Sequence, residues 1–201
     1  MRWDNLFDDL EGQLEQELTA EEIDLQAEEE RIRLGRLSLR DRILSIHEAQ
    51  ERGSDYSIRF VLIDGSTLRA RPTTFGRDWL AADVVGEGIR GQCIVPLVGI
   101  AALTLTRQQI AVSMDATPGE TSTRSLAARL SLPFVLRDLC RRRSGIELVT
   151  TTGPVFGTID RVGRDHLDLA VHERDVPRRE ADVAHYRVVP LSQLVLVLVR
   201  V

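Results

Sequence analysis

The sequence predicts a mixed α+β protein that is mainly β: an acidic N-terminal helix, then two small five-stranded barrels, each preceded by a short helix. Three observations predict it. The chain states one motif twice, as Gly76-Arg77-Asp78-Trp79-Leu80 and as Gly163-Arg164-Asp165-His166-Leu167. Each copy follows a glycine-marked hairpin and precedes a Val-Pro-Leu step, Val95-Pro96-Leu97 and Val189-Pro190-Leu191, that opens into an apolar strand. The front of the chain instead shows the 3.6-residue spacing of a helix.

The totals bound the reading. A chain of 201 residues is one large domain or two small ones. Hydrophobic residues at 43% and charged residues at 28% are ordinary for a soluble globular protein, and aromatics at 4% leave the core to Val, Leu and Ile. No window approaches the ~18–20 consecutive apolar residues of a membrane span. Met1-Arg2-Trp3-Asp4 leads into acid-rich sequence, without the basic start and apolar core of a secretory signal, so a cytoplasmic location is expected. Cys93 and Cys140 share no CxxC spacing; buried free thiols are the favoured reading, a disulfide or metal pair the alternative. All 26 basic residues are arginine, which excludes Schiff-base lysines and the P-loop lysine contact. The net charge of -5 is unevenly spread. Residues 1–36 hold 12 acids against 4 arginines, giving -8; the remainder holds 22 arginines against 19 acids, giving +3.

In chain order, residues 1–36 form an acidic amphipathic arm. Trp3, Leu6, Phe7, Leu10, Leu14 and Leu18 fall on one helical face, with Glu and Asp on the other. Gly12 weakens the middle, and Thr19-Ala20-Glu21-Glu22 resembles a capping box where a second helix can start. So narrow an apolar stripe is marginal alone and gains stability by packing, on its own barrels, on a second copy or on a different protein. Acids on the polar face disfavour membrane attachment.

Residues 37–107 make the first barrel unit. Leu37-Ser38-Leu39-Arg40 opens a short helix with Ser38 at the N-cap. Strands are expected over Ile58–Ile63, Thr67–Thr73, Trp79–Val85, Ile89–Leu97 and Ile100–Thr106, with Asp64-Gly65 as the hairpin turn. Residues 108–124 read as a linker, since Met114 to Thr123 is small, polar and rich in breakers. Residues 125–201 make the second unit, with a basic helix of Arg124, Arg129, Arg137, Arg141, Arg142 and Arg143 against Asp138. Its strands fall over Ile146–Thr151, Val155–Val162, Leu167–Val171, Val183–Val189 and Leu194–Val199. The last, apolar throughout, looks made to be paired on both sides. Landmarks align with length changes confined to turns, Gly65 with Gly153, Gly76 with Gly163 and Pro96 with Pro190, as in a duplicated fold.

A short helix and five bent strands in ~70 residues close an edge that a sandwich of this size could not. The pattern resembles the Sm-like small barrel of Sm proteins and of the bacterial Sm-like RNA chaperone. Residues 157–169, Gly157-Thr158-Ile159-Asp160-Arg161-Val162-Gly163-Arg164-Asp165-His166-Leu167-Asp168-Leu169, look like that family's second and third strands. Ile89-Arg90-Gly91-Gln92-Cys93-Ile94 looks like its Ile-Arg-Gly segment. The resemblance covers 37–107 and 126–201 and implies tandem barrels, edge-to-edge oligomers and a route to RNA. This chain departs from it: the turns Phe75-Gly76-Arg77-Asp78 and Gly163-Arg164-Asp165-His166 lack the base-gripping Asn, and Tyr186-Arg187-Val188-Val189 stands where Arg-Gly is expected. The whole chain also resembles uncharacterised actinobacterial proteins, a resemblance that supplies no activity.

No nucleophile elbow or Gly-rich phosphate loop is present, so a non-enzymatic protein without cofactor or metal is expected. His166 with Asp165, Asp168 and His172 is the nearest approach to a site, but the first copy holds Trp79, Ala81 and Val85 there, and solvated strand residues are the simpler reading. Arg77 and Arg164, each trailed by Asp, read as local ion pairs setting a bend. The first expectation is a protein-interaction adaptor docking through Trp3, Phe7, Leu10 and Leu14, with self-association through barrel edges as a further partner mode. The alternative is RNA binding through Arg137, Arg141, Arg142, Arg143 and Arg164. An acidic arm covering the arginine helix is a third arrangement the charges allow.

Overall fold

The computed structural model describes residues 22–50, 56–86, 91–116, 126–174 and 179–199. Helix α1 occupies 22–36 and passes through Leu37 and Ser38 into α2 (Leu39–Gln50). Strands β1 (Ile58–Leu62), β2 (Thr67–Phe75), β3 (Trp79–Val84) and β4 (Gln92–Pro96) follow. A 3-10 turn, Leu97–Gly99, leads to β5 (Ile100–Thr104) and then α3 (Arg107–Met114). The second half repeats the plan: a 3-10 turn Ala127–Arg129, α4 (Leu132–Arg141), β6 (Gly145–Thr150), β7 (Gly153–Val162), β8 (His166–Val171) and β9 (His185–Pro190). A last 3-10 turn, Leu191–Gln193, leads to β10 (Leu194–Val199).

Local chemistry accounts for the elements. Ser38 caps α2: its Oγ accepts the Asp41 N–H at 3.1 Å while the Asp41 carboxylate takes the Ser38 N–H at 3.2 Å. In β1, Ile58, Phe60 and Leu62 are buried while Arg59 faces out, the period-2 pattern of a half-covered strand. Asp64 Oδ1 accepts the Ser66 N–H at 2.9 Å, and Gly65 takes φ +83, which fixes the β1–β2 turn. The stretch read as a linker begins instead as helix α3. Thr106 and Gln109 form a reciprocal capping box, and Arg42 and Ser45 of α2 bond Ser113 Oγ and the Val112 carbonyl. Residues 117–125 of that stretch lie outside the described ones.

All ten described strands belong to one antiparallel sheet, in the order β5-β1-β2-β3-β4-β10-β6-β7-β8-β9. Two separate, closed barrels were the sequence expectation, and this corrects it: the sheet runs unbroken through both halves and does not close. The reason lies in β10. Its apolar run takes β6 on one side and β4 of the first half on the other, Val197 opposite Ile94 and Leu198 opposite Cys93. An edge that could have closed one barrel is satisfied by the neighbouring half.

Within that sheet the halves repeat one topology, each ordered fifth-first-second-third-fourth. The registers repeat too. Phe60 faces Leu103 as Leu148 faces Val197, and Leu80 faces Val95 as Leu167 faces Val189. Even the irregularities coincide, between Pro72 and Thr74 and between Ile159 and Arg161. In each half the fourth and fifth strands stand at opposite ends of the set, yet a three-residue turn joins them. The set must therefore bend round until those ends approach.

The two cores exchange residues across the junction. The first gathers Ile43, Ile46, Phe60 and Leu80 from its own half, with Val195 and Leu196 from β10. The second gathers Leu136, Leu148, Leu167 and Val197, with Trp79 and Ile94 from the first half. Neither half buries its apolar surface alone.

Candidate functional site

The repeated Gly-Arg-Asp turns, apart in sequence, line one open groove of about 1200 Å³. One wall is Arg77 and Asp78 of the β2–β3 turn with Pro96 and Val98; another is Gly163 to His166 of the β7–β8 turn with Pro190 and Leu191; Leu132 and Arg137 of α4 complete it.

Both turns are built alike. Gly76 N–H donates to the Trp79 carbonyl and Gly163 N–H to the His166 carbonyl, each at 2.8 Å. In both the ring at the fourth position lies over the glycine, so an added Cβ would come within 2.1 Å of Trp79 Nε1 or 2.6 Å of His166 Cε1. A helix arginine braces each glycine carbonyl: Arg40 Nε at 2.8 Å from Gly76 O, and Arg137 Nη2 at 3.2 Å from Gly163 O. The Asp carbonyls hold the next turn, taking the Leu97 N–H at 3.0 Å and the Leu191 N–H at 2.7 Å.

The acids differ. Instead of pairing with Arg77, Asp78 reaches into the other half: its Oδ1 accepts the Leu132 N–H at 2.8 Å, capping α4, whose own Ser131 makes no side-chain cap bond. The Leu130 carbonyl accepts Arg77 N–H at 2.9 Å and Trp79 Nε1–H at 3.0 Å. Asp165, exposed, sits 2.9 Å from His166 Nδ1, and that hydrogen bond holds its carboxyl below the usual range. The local Arg-Asp ion pair expected at each turn is replaced by these contacts. Among the described residues Arg77 and Arg164 have no side-chain hydrogen bond or ion pair, and both residues are exposed.

The remaining arginines of the alternative reading are partly committed. Arg141 and Arg142 both bind Asp138, whose carboxyl is lowered by those bonds. Arg143 lies 4.0 Å from Asp160 and holds the left-handed conformation, φ 54, at the end of α4. Its N–H bonds the Cys140 carbonyl at 3.0 Å, and the Ser144 N–H bonds Leu139 O at 3.2 Å. That is the Schellman closure, usually given to glycine. His166 and His172 do not converge. His172 is buried, with Nε2 at 2.9 Å from Thr158 Oγ1 and Nδ1 at 2.9 Å from the Glu173 carbonyl, so it is a core histidine and not a solvated one. Among the described residues no group of three His, Cys, Asp or Glu side chains could hold a metal ion.

Trp3, Phe7, Leu10 and Leu14 lie outside the described residues. The helix that continues their arm, α1, keeps Ile23, Leu25 and Ile32 exposed at 60%, 62% and 47%. Its last turn is tied down by Arg33 Nη1, which donates to the Ala116 carbonyl at 2.8 Å. No described helix is long and apolar enough to cross a membrane. Sequence reasoning missed Arg40 and the reach of Asp78. No sequence signal pointed to that reach: Ser131 is itself a favoured N-cap residue and Pro133 an ordinary first-turn proline, so α4 reads as self-capped. No known family, curated protein or solved structure matches the chain.

Proposed function

We propose that the protein is a non-enzymatic adaptor. Two Sm-like units, fused side by side through β4 and β10 in one open sheet, form its body, and the N-terminal helix is its docking arm. The exposure of Ile23, Leu25 and Ile32 along an acidic helix carries this reading. Three large apolar side chains left to water on one short segment mark a surface kept for a partner. Trp3, Phe7, Leu10 and Leu14 extend the same arm and are the anchors expected to carry most of the binding energy. The test is recovery of protein partners from native cells with wild type, Trp3→Ala and Phe7→Ala. The expected result is a defined set of proteins that survives nuclease and added salt and disappears with either substitution. An unchanged set rejects the arm as the docking element.

A second reading, RNA binding, draws on the groove. Arg77 and Arg164, exposed and unpaired among the described residues, line the groove from the two turns, and Arg137 lines it too. Under it, a single-stranded RNA oligonucleotide binds with steep salt dependence, and Arg77→Ala and Arg164→Ala each flatten the salt slope. Salt-insensitive or absent binding removes this reading.

A further inference from the structure

We propose that the outer face of α4 is a docking site for the chain's own acidic arm, residues 3–18, and that the arm rests there until a partner draws it off. Its role as a latch rests on the adaptor reading; the contact itself does not.

The first half is the template. There α3 lies along α2, whose Arg42 and Ser45 bond Ser113 Oγ and the Val112 carbonyl. The two halves open their helices alike. Leu37-Ser38-Leu39 matches Leu130-Ser131-Leu132, and Leu37 N–H bonds Leu34 O at 3.2 Å as Leu130 N–H bonds Ala127 O at 2.9 Å. In that alignment Asp41, Arg42, Ser45 and Ile46, on the side of α2 that α3 covers, correspond to Phe134, Val135, Asp138 and Leu139 of α4. Among the described residues no helix packs along α4. Burial records the difference. Asp41 is 8% exposed and Ile46 0%, whereas Phe134 is 53% exposed and Leu139 only partly buried.

Chemistry selects the occupant. Phe134, open to water beside Val135 and Leu139, calls for an apolar cover. The rim is basic. Arg141 and Arg142, with 78% and 66% of their side chains exposed, share the one carboxylate of Asp138, and Arg143 follows. The cover must therefore be a helix with an apolar stripe and an acidic flank. Residues 3–18, which lie outside the described ones, are written that way. Phe7, Leu10 and Leu14 recur at helical spacing, and Asp4, Asp8, Glu11 and Glu15 recur at the same spacing beside them. The segment holds six acids and no arginine. The arm is also rooted nearby. Arg40 Nε, in the first turn of α2, bonds the Gly76 carbonyl at 2.8 Å, and Arg77 N–H of that same turn bonds Leu130 O at 2.9 Å, just before α4. One turn thus stands between the root of the arm and the start of α4. Helix α1 and residues 3–18 match in length, about 22 and 24 Å, so a reversal at Thr19 returns the arm to the level of its root. A tether this short gives an effective concentration on the order of millimolar, which favours the chain's own α4 over that of another copy.

Phe7, Leu10 and Leu14 cannot cover α4 and a partner at once, so a partner must compete with the latch. The test uses the full chain. Trp3 emission is read as the difference between wild type and Trp3→Phe, because Trp79 is the other tryptophan. It is expected at the shorter wavelengths of a covered indole, at every protein concentration. Phe134→Asp should move it to the wavelength of free tryptophan, and should raise the rate of Glu-specific cleavage at Glu11 and Glu15 about tenfold. Arg142→Glu should act in the same direction, and serves should Phe134→Asp melt. Joined to Arg141→Glu and Arg142→Glu, the reversals Glu11→Arg and Glu15→Arg should bring the covered emission back. Phe134→Asp should also recover severalfold more partner than wild type, because more of the arm is free. A wild-type Trp3 signal already at the free wavelength, one that ignores the α4 variants, or one that shifts with concentration overturns the contact; equal partner recovery overturns the latch. A partner set that ignores Trp3→Ala, in a chain whose Trp3 emission answers to Phe134→Asp, rejects the adaptor reading while supporting the α4 contact.

Discussion

Asp78 and Trp79 belong by sequence to one half and act on the other. Asp78 caps α4, and Trp79 packs in the second core while its indole N–H holds Leu130. The glycine beneath each ring therefore has unequal worth. At Gly76 a Cβ would strike a ring that is 5% exposed and bonded at its nitrogen. At Gly163 the same atom meets a His166 ring whose side chain is 47% exposed and whose bonded partner, Asp165, is itself exposed, so it can yield toward solvent. Urea titration should show Gly76→Ala destabilised by about 3 kcal/mol and Gly163→Ala by less than about 1 kcal/mol, the difference between overpacking a fixed ring and displacing a mobile one. Cys93 carries a second residue-scale prediction. Burial pushes its thiol up to about 12. The unfolded chain loses that proton earlier, so stability is full below the ordinary thiol range and falls as pH rises from there through about 12. Lysine, absent from the sequence, adds no titration in that window. The alkaline decline of the urea midpoint should shrink in Cys93→Ala, and a thiol reagent at pH 8 should reach Cys93 only on unfolding.

Strand β10 shows at the element scale what an uninterrupted apolar run is for. Leu194 to Val199 has no polar face because β4 and β6 flank it and its side chains enter both cores, Leu194 to Val197 buried and Leu198 and Val199 partly so. Its two-sided pairing could be read from the sequence for that reason. The identity of the second partner could not, since Val-Leu alternation says that a strand is covered and not by which half. Helix α3 was overlooked for the opposite cause. Arg107-Gln108-Gln109 is polar enough to pass for linker, and the Thr106 to Gln109 capping spacing was the signal that outweighed it. The turns were read correctly in position, because Gly-Arg-Asp recurs, but their bonding was not, because the partner of Asp78 lies 54 residues on. Leu196 tests the element. It comes from the second half, is 6% exposed and packs in the first core. Leu196→Ala should cost about 3 kcal/mol, and hydrogen exchange should rise in β1 and β4 as much as in β6.

For the whole molecule, the exchange of Trp79, Ile94, Val195 and Leu196 decides whether duplication produced two domains or one cooperative body. Two barrels on a tether would melt separately, each at the stability its own small core supplies. Here each core is completed by the other half, and parting them would bare the apolar face of β10 and the edge of β4 together. Unfolding the second half removes Val195 and Leu196 from the first core and the acceptor of the Trp79 N–H, so the first half loses packing at the same moment. Equilibrium unfolding should therefore be a single transition. In a Trp3→Phe background Trp79 is the only tryptophan, placed at the junction, and its fluorescence should change at the same urea concentration as the far-ultraviolet circular dichroism of the whole sheet. An indole signal that moves ahead of the dichroism would mean that the halves part before they unfold, and that β4 and β10 are a hinge where the shared cores require a seam.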